Sequence, residues 1–440
     1  TSMMSQKEQF AEIDKKVDAR DFSGAVLTLE TSKDTYYSKK DRVLYYLDAG
    51  MLYHLKGDFK KSNEMLTAAE YAIEELYTKS ISKGATSLLL NDNALDYSGA
   101  DYEDVYLNVF KSLNYVEMNQ FDNAFVEIRR INNKLSALED KYNKMAEEYN
   151  KSKDAKKEFK PAKNQFNNSA LGRYISMVMY RAEGKDDGAA IDLNKIKEAW
   201  QSQSQLYDFP MPNFDAYLNA TKKAKVTAVS FIGKAPQLFA RVLTIHTFKD
   251  AVGIYQSDGK NEKEIDLIAW PEMTSGYHFK FSLPYMEKSG SAVGKIKIEI
   301  GDKTSFELSK LESIENAAED TYKLHVTMTY LKTIIRTVTK GILNEKANKE
   351  LDKQTGGGFL GELTRIATSA LVDASENADV RISRYFPAQA FVGEVEVEPA
   401  EYVVKINYYS KNGSLMYVED LGRKTISTNA LNFVHSVYLK

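Results

Sequence analysis

Four times in the first half of the chain, small and apolar residues step by four and then by three after a common origin. From Phe22 the steps fall on Ala25, Leu29, Ser32 and Tyr36, and from Phe59 on Ser62, Leu66, Ala69 and Ile73. From Phe121 they fall on Ala124, Ile128, Ile131 and Leu135, and from Asp186 on Ala189, Leu193, Ile196 and Trp200. One helix face is thus written four times in one phase. Upstream of the last three origins, at matching offsets, stand Gly50 and Tyr53, Ser112 and Tyr115, Met177 and Tyr180, which place a second helix before each. Gly57, Asn119 and Gly184 sit two residues before those origins, where a residue able to leave helical geometry suits a turn. The pattern predicts antiparallel helix pairs that approach closely over their small residues, with Tyr and large apolar side chains filling the remaining space. A plain helical bundle is the alternative.

The origins lie 37, 62 and 65 residues apart, against a tetratricopeptide (TPR) period of about 34 residues. With insertions between pairs, and with its order of small, Tyr, small, large apolar and small positions, this half resembles the TPR family. It lacks the Trp near the start of the first helix and the Pro that closes a repeat. The resemblance implies an α-solenoid with a groove that grips a peptide or helix.

Within residues 87–106, Asn91, Asp92, Asn93, Tyr97 and Gly99 interrupt the helical period, as a long ordered loop would. Such a loop serves either as a binding element or as a cap that fills its own solenoid. Residues 139–165 are densely charged and include Pro161, which reads as a solvated helical extension followed by a linker.

Near residue 225 the period changes from 3.6 to 2. "KVTAVSFIG", "QLFARVLTIHTF", "KEIDLIAWP", "GYHFKFSLP", "GKIKIEI" and "TSFELS" are short β-branched or aromatic runs between turn residues. Next, Leu324, Met328, Leu331, Ile335, Val338 and Ile342 mark a long amphipathic helix; "TGGGFLGEL" breaks it, and Phe359, Leu363, Ile366, Ala370 and Leu371 begin a second face. Strands resume with "AFVGEVEVEP", "EYVVKINYYS", "SLMYVED" and "NFVHSVYL". The expectation is an α+β multidomain chain: a TPR-like helical repeat domain over 1–222, then a β-rich domain over 223–440 with a helical hairpin inserted at about 311–377. That hairpin is expected to dock on its own sheet, with the solenoid, a partner or a bilayer surface as alternatives.

Composition narrows the function classes. The 440 residues carry a net charge of -3 and no cysteine, so no whole-chain field favours nucleic acid and neither disulfides nor thiolate metal sites are possible. No apolar run approaches the roughly 18 residues of a membrane span. His54, His246, His278, His325 and His435 share no metal-ligand or base-nucleophile spacing and read as isolated structural residues. The glycines of "TGGGFLGE" follow a helix and lack the Lys-Ser/Thr of a phosphate loop. No catalytic residue, cofactor or metal ligand is expected. The enzymatic alternative is two carboxylates in a cleft between the domains.

Residues 89–132, 169–193 and 376–404 together look like a family of TPR-bearing bacterial envelope lipoproteins, encoded beside lipoproteins of the curli-secretion-channel and penicillin-binding-protein-activator type. Its Ala-Asp-x-Arg element is matched by Ala378, Asp379 and Arg381, followed by Arg384, Tyr385 and Pro387. Where the family carries Trp and a Pro-Pro-Gly turn, this chain has Ile382 and Glu398-Pro399-Ala400. The element reads as a structural clamp of Asp379, Arg381 and Arg384 that fixes the start of a strand, worth about 1 kcal/mol if exposed. The resemblance further implies a lipidated Cys just before Thr1, a short polar tether over Thr1–Ser5, and a periplasmic position at the outer membrane. Membrane contact would come only through that lipid. The expected function is a non-enzymatic scaffold whose solenoid groove and 87–106 loop bind a protein partner, another envelope lipoprotein, with Asn91, Asp92, Tyr97, Tyr102, Arg129 and Arg130 as contact residues. Lipid or glycan binding by the β domain is the alternative.

Overall fold

Each of the four origins is the first residue of a helix, and the residue two before it is left-handed. A computed structural model describes residues 6–83, 92–355 and 377–440. After the short α1 (Gln6–Gln9), helices α2 (Ala11–Asp18) and α3 (Phe22–Thr31) turn at Arg20, φ +58°. After α4 (Lys33–Tyr36), α5 (Arg42–Lys56) and α6 (Phe59–Lys83) turn at Gly57, φ +86°. Helices α7 (Asp101–Glu117) and α8 (Phe121–Asn150) turn at Asn119, and α9 (Ala170–Ala182) and α10 (Asp186–Ser202) at Gly184. In each turn an N–H five residues on closes the helix end: Asp21 to the Lys16 carbonyl, Asp58 to Tyr53, Gln120 to Tyr115 and Lys185 to Tyr180, all at 2.8–2.9 Å.

The small positions of the pattern lie where paired helices touch. Ser62 Oγ donates to the Gly50 carbonyl at 2.7 Å, and a Cβ on Gly50 would stand 2.5 Å from Leu66 Cδ2. Ala25, Ser112, Ala124, Met177, Ala189 and Ile196 are fully buried at the equivalent places. Helix α8 corrects one expectation. Its charged extension buries Leu138, Tyr142, Ala146 and Tyr149 on one face, so it is amphipathic and half solvated rather than solvated throughout.

Among the described residues twelve strands form three four-stranded sheets. They are β1 (Ala224–Lys234), β2 (Gln237–Phe248), β3 (Ala251–Ser257), β4 (Glu262–Ala269), β5 (His278–Glu287), β6 (Val293–Ile300), β7 (Thr304–Glu307), β8 (Ser309–Ser313), β9 (Pro387–Val397), β10 (Ala400–Ser410), β11 (Leu415–Ile426) and β12 (Asn432–Tyr438). The first sheet runs β12-β1-β9-β8, with β1 parallel to β12 and antiparallel to β9. Strand β1 is apolar on both faces for a reason. Val226, Ala228 and Ile232 pack on Ile296, Ile298, Val404 and Ile406 of the second sheet, β11-β10-β6-β7, while Val229 and Phe231 join the core of the helices.

The third sheet, β4-β3-β2-β5, packs one face on α11 (Ile314–Thr355). Leu243, Ile245, Ile254, Phe281 and Leu283 meet Met328, Leu331, Ile335 and Val338, the stripe marked in the sequence. The helix begins at 314 rather than 311 because Ser309–Ser313 pairs with β9. The second helical face expected from Phe359 lies outside the described residues. Strand β3 was absent from the expected elements; its Gly253 reads as a breaker, yet it leaves room for the rings of Phe248 and Tyr255, which a Cβ there would meet at 2.8–2.9 Å. Among the described residues no helix is long and apolar enough to cross a membrane.

Candidate functional site

The loop and the clamp, read separately in the sequence, meet at one recess. After Asp92–Ala94, a single 3-10 turn, the chain is tied down by Tyr97 N–H to the Lys40 carbonyl at 2.9 Å. Glu103, buried in the first turn of α7, accepts from Tyr97 Oη at 2.5 Å, from Ala100 N–H at 2.7 Å and from Ser383 N–H at 2.7 Å. One carboxylate therefore holds both the loop and the segment leading into β9. Arg381 completes the tie: it donates to Asp379 at 2.7 and 2.8 Å, to Asp41 at 3.1 Å, and to the carbonyls of Asp92 and Leu95 at 2.9 and 3.1 Å, while lying over the Tyr97 ring. Arg384 pairs with Asp14 and covers Phe10, and its N–H donates to Asp48 at 2.8 Å. Both arginine side chains are mostly buried, so the value of about 1 kcal/mol for an exposed pair does not apply; removing either leaves partly buried carboxylates without their cation.

Beside this junction α6, α7, α8, α11, β2 and β5 enclose a cavity of about 210 Å³. Its wall is aromatic and aliphatic, with Tyr77, Tyr142, Tyr322, Met145, Leu238 and Met286. His325 of α11 is open to the lumen although protein surrounds it; burial lowers its pKa against the opposing pull of Asp92 and Asp101. Asp101 receives Lys141 Nζ at 2.5 Å and the Tyr142 hydroxyl. Burial alone would raise the Asp101 pKa, and these partners outweigh it and hold the group below the usual carboxylate range.

The expected contact residues separate. Asp92, Tyr97 and Tyr102 line the recess together with Asp379 and Arg381. Tyr97 and Tyr102 are nonetheless buried, Tyr102 completely, so the expectation of two surface contacts is corrected: their rings form the wall that anchors the loop. Asn91 lies outside the described residues. Arg129 is exposed on α8 and does not line the recess. Arg130, half exposed, is engaged by Glu70 at the edge of a buried network between α6, α7 and α8, away from the recess.

The groove expected of a solenoid is not open on the side of α5, α7 and α9, because the first sheet covers that face. The Phe110 ring stands 5.0 Å from Phe231 and 5.9 Å from Phe386, and Arg181 makes a two-pronged pair with Glu394 at 2.7 and 2.8 Å. His54 of α5 meets His435 of β12, Nε2 to Nε2 at 2.7 Å, with Asn114 Oδ1 at 2.6 Å from His54 Nδ1. Burial lowers both pKa values, to about 4 for His54 and about 3 for His435. His246 and His278 meet as well. Four of the five histidines are therefore paired, which sequence spacing could not show because the partners are 381 and 32 residues apart. Among the described residues no three metal-ligating side chains converge.

Asp48, buried between α5 and the clamp, carries a pH signature. Burial pushes its pKa up to about 7, despite donation from Arg384 N–H and from Tyr37 Oη at 2.7 Å. The folded state then holds this proton more firmly than the unfolded state, whose pKa is 3.8, so stability falls as pH rises from about 4 to 7. Asp48→Asn should remove that slope and exceed the native chain at pH 8 by roughly 2–4 kcal/mol in urea unfolding. An Asn variant that is the less stable of the two at pH 8 would refute the assignment.

Compared with known family models, curated proteins and solved structures, the chain matches none.

Proposed function

We propose that this protein is a non-enzymatic scaffold of the bacterial envelope: a periplasmic lipoprotein anchored at the outer membrane, with a TPR-like solenoid as its helical half and another envelope lipoprotein as its partner. The first limb of the proposed inserted hairpin is α11. Support for the solenoid comes from four helix pairs that share one pattern of buried positions and one left-handed turn. With the α5, α7 and α9 face covered by the first sheet, the binding element is the recess beside the clamp.

The observation that carries this reading is the aromatic-lined cavity of about 210 Å³, to which His325 is open. A void of this lining suits an apolar or aromatic side chain from a partner, held by complementarity of shape and a few polar groups at the rim. Of the four acids that line it, Asp92, Asp96, Asp101 and Asp379, two are engaged, Asp101 by Lys141 and Tyr142 and Asp379 by Arg381. Neither is left poised to move a proton to a substrate.

His325→Trp places a larger ring in the lumen. It should abolish co-purification of the partner that the native chain retains from an envelope extract, with the melting temperature unchanged. Equal retention by the folded variant would sink the proposal. Met145, Leu238 and Met286 in the same wall favour a second reading, in which the recess takes a lipid chain. Flotation of the unlipidated protein with liposomes separates the two, because a protein-binding scaffold stays in solution.

A further inference from the structure

The third sheet turns its second face outward, and on that face β2 and β5 set His246 directly opposite His278. Their Nδ1 atoms are in contact, with the rings nearly perpendicular at 76° and 4.6 Å between centroids. The other nitrogen of His246, Nε2, lies 2.9 Å from Glu262 Oε2 on β4. Tyr255 of β3 stands edge-on to His246 at 4.7 Å, and its hydroxyl donates to Glu264 at 2.8 Å. All three of the other strands in the sheet therefore hold this one imidazole in place.

The hydrogen-bond inventory sets the tautomers. A carboxylate only accepts, so His246 carries its proton on Nε2 and presents the bare Nδ1 lone pair toward His278. His278 supplies the proton between the two rings. If that proton moves to His278 Nε2, two lone pairs converge on one point at the protein surface. A carboxylate on the far nitrogen of a histidine is the arrangement that orients metal-bound imidazoles and raises their basicity.

We propose that His246 and His278 bind a late first-row divalent metal ion, of the class of Zn²⁺, Ni²⁺ and Cu²⁺, through their Nδ1 atoms, with Glu262 as the positioning carboxylate. Imidazole pairs suit these ions, whereas the oxygen-seeking Ca²⁺ and Mg²⁺ find no matching set here. Binding needs the rings to part by a small rotation, so that each nitrogen reaches about 2.0–2.1 Å from the ion. Cross-strand pairing already holds the two Cβ atoms about 5 Å apart, which limits the ordering cost. Because His278 is exposed, water can fill the remaining coordination positions. No proton is released in the step, since the one between the rings stays on His278.

The untagged full chain, titrated with Zn²⁺ by calorimetry, should take up one ion per chain, and NMR should show the ring protons of His246 and His278 shifting while those of His54 and His435 stay in place. His278→Ala should weaken binding at least about 100-fold and Glu262→Gln about 10- to 100-fold, with melting temperatures unchanged because His278 and Glu262 are exposed. Absence of saturable binding at millimolar Zn²⁺, or binding that survives His278→Ala, overturns the assignment.

Discussion

Glu312→Ala should cost about 3–5 kcal/mol of folding stability, the largest single loss expected in this chain. Glu312 of β8 is 1% exposed and receives four donors: Tyr106 Oη at 2.8 Å, Tyr207 Oη at 2.6 Å, Ser169 Oγ at 2.9 Å and Leu171 N–H at 3.2 Å. These come from α7, from the segment after α10 and from the first turn of α9, so one carboxylate joins the helical half to the edge of the first sheet. Truncation leaves the hydroxyls of Tyr106 and Ser169 buried without an acceptor, each costing about 1–3 kcal/mol, leaves Tyr207 only the Asn168 carbonyl at 3.2 Å, and opens a void besides. Glu312→Gln keeps one acceptor oxygen but turns an amide N–H₂ toward donors, and should lose about 2 kcal/mol. Urea unfolding measures both; a loss below about 1 kcal/mol for the Ala variant would show that the halves are joined elsewhere.

Lys111→Met should be almost as damaging, at about 3–4 kcal/mol, and most of that should return when Glu127→Leu is added. Lys111 is 1% exposed on α7, with its ammonium 3.2 Å from Glu127 and 3.6 Å from Glu70. Asn108 Nδ2 donates to both carboxylates, and Lys134 reaches Glu70 and Asp104 at 2.8 Å each. Loss of the lysine alone leaves two acids buried with too few cations, whereas loss of a matched pair replaces charge by packing. A double-mutant cycle reads the difference. The same network sets an acid limit: burial alone would raise the Glu70 pKa, but Lys134 and Lys111 bring it down to about 2 from 4.5. That contribution is complete above pH 4.5 and is lost as pH falls toward 2, about 3 kcal/mol in all. Lys111→Met should flatten this slope; a cycle with no coupling and an unchanged slope would remove Lys111 from the network.

Local periodicity made the helix pairs legible, because the residues that meet across each turn are close in sequence. Gly50 with Ser62 and Leu66 is the clearest instance. Arg20 was not legible as a turn residue. It holds a positive φ while its guanidinium bonds Glu419 at 2.5 Å and the Val437 carbonyl at 3.0 Å, partners roughly four hundred positions away. For the site, the loop and the Asp-Arg element were each legible as separate features but not as the walls of one recess, and Tyr97 and Tyr102 were assigned to the surface. Nothing local distinguishes a tyrosine that faces water from one whose hydroxyl meets a buried carboxylate such as Glu103.

What the chain's order of residues determined by itself is the helical first half, most of the strands, the phase of the buried stripes at the four helix pairs and on α11, and the change of architecture near residue 224. Only the tertiary structure decided which face of the helices the first sheet covers, that loop and clamp wall one recess, and that His54 meets His435 and His246 meets His278. The division follows from range: periodic burial is a property of neighbours, whereas an ion pair, a shared carboxylate or an imidazole contact exists only once distant segments have been brought within a few ångströms.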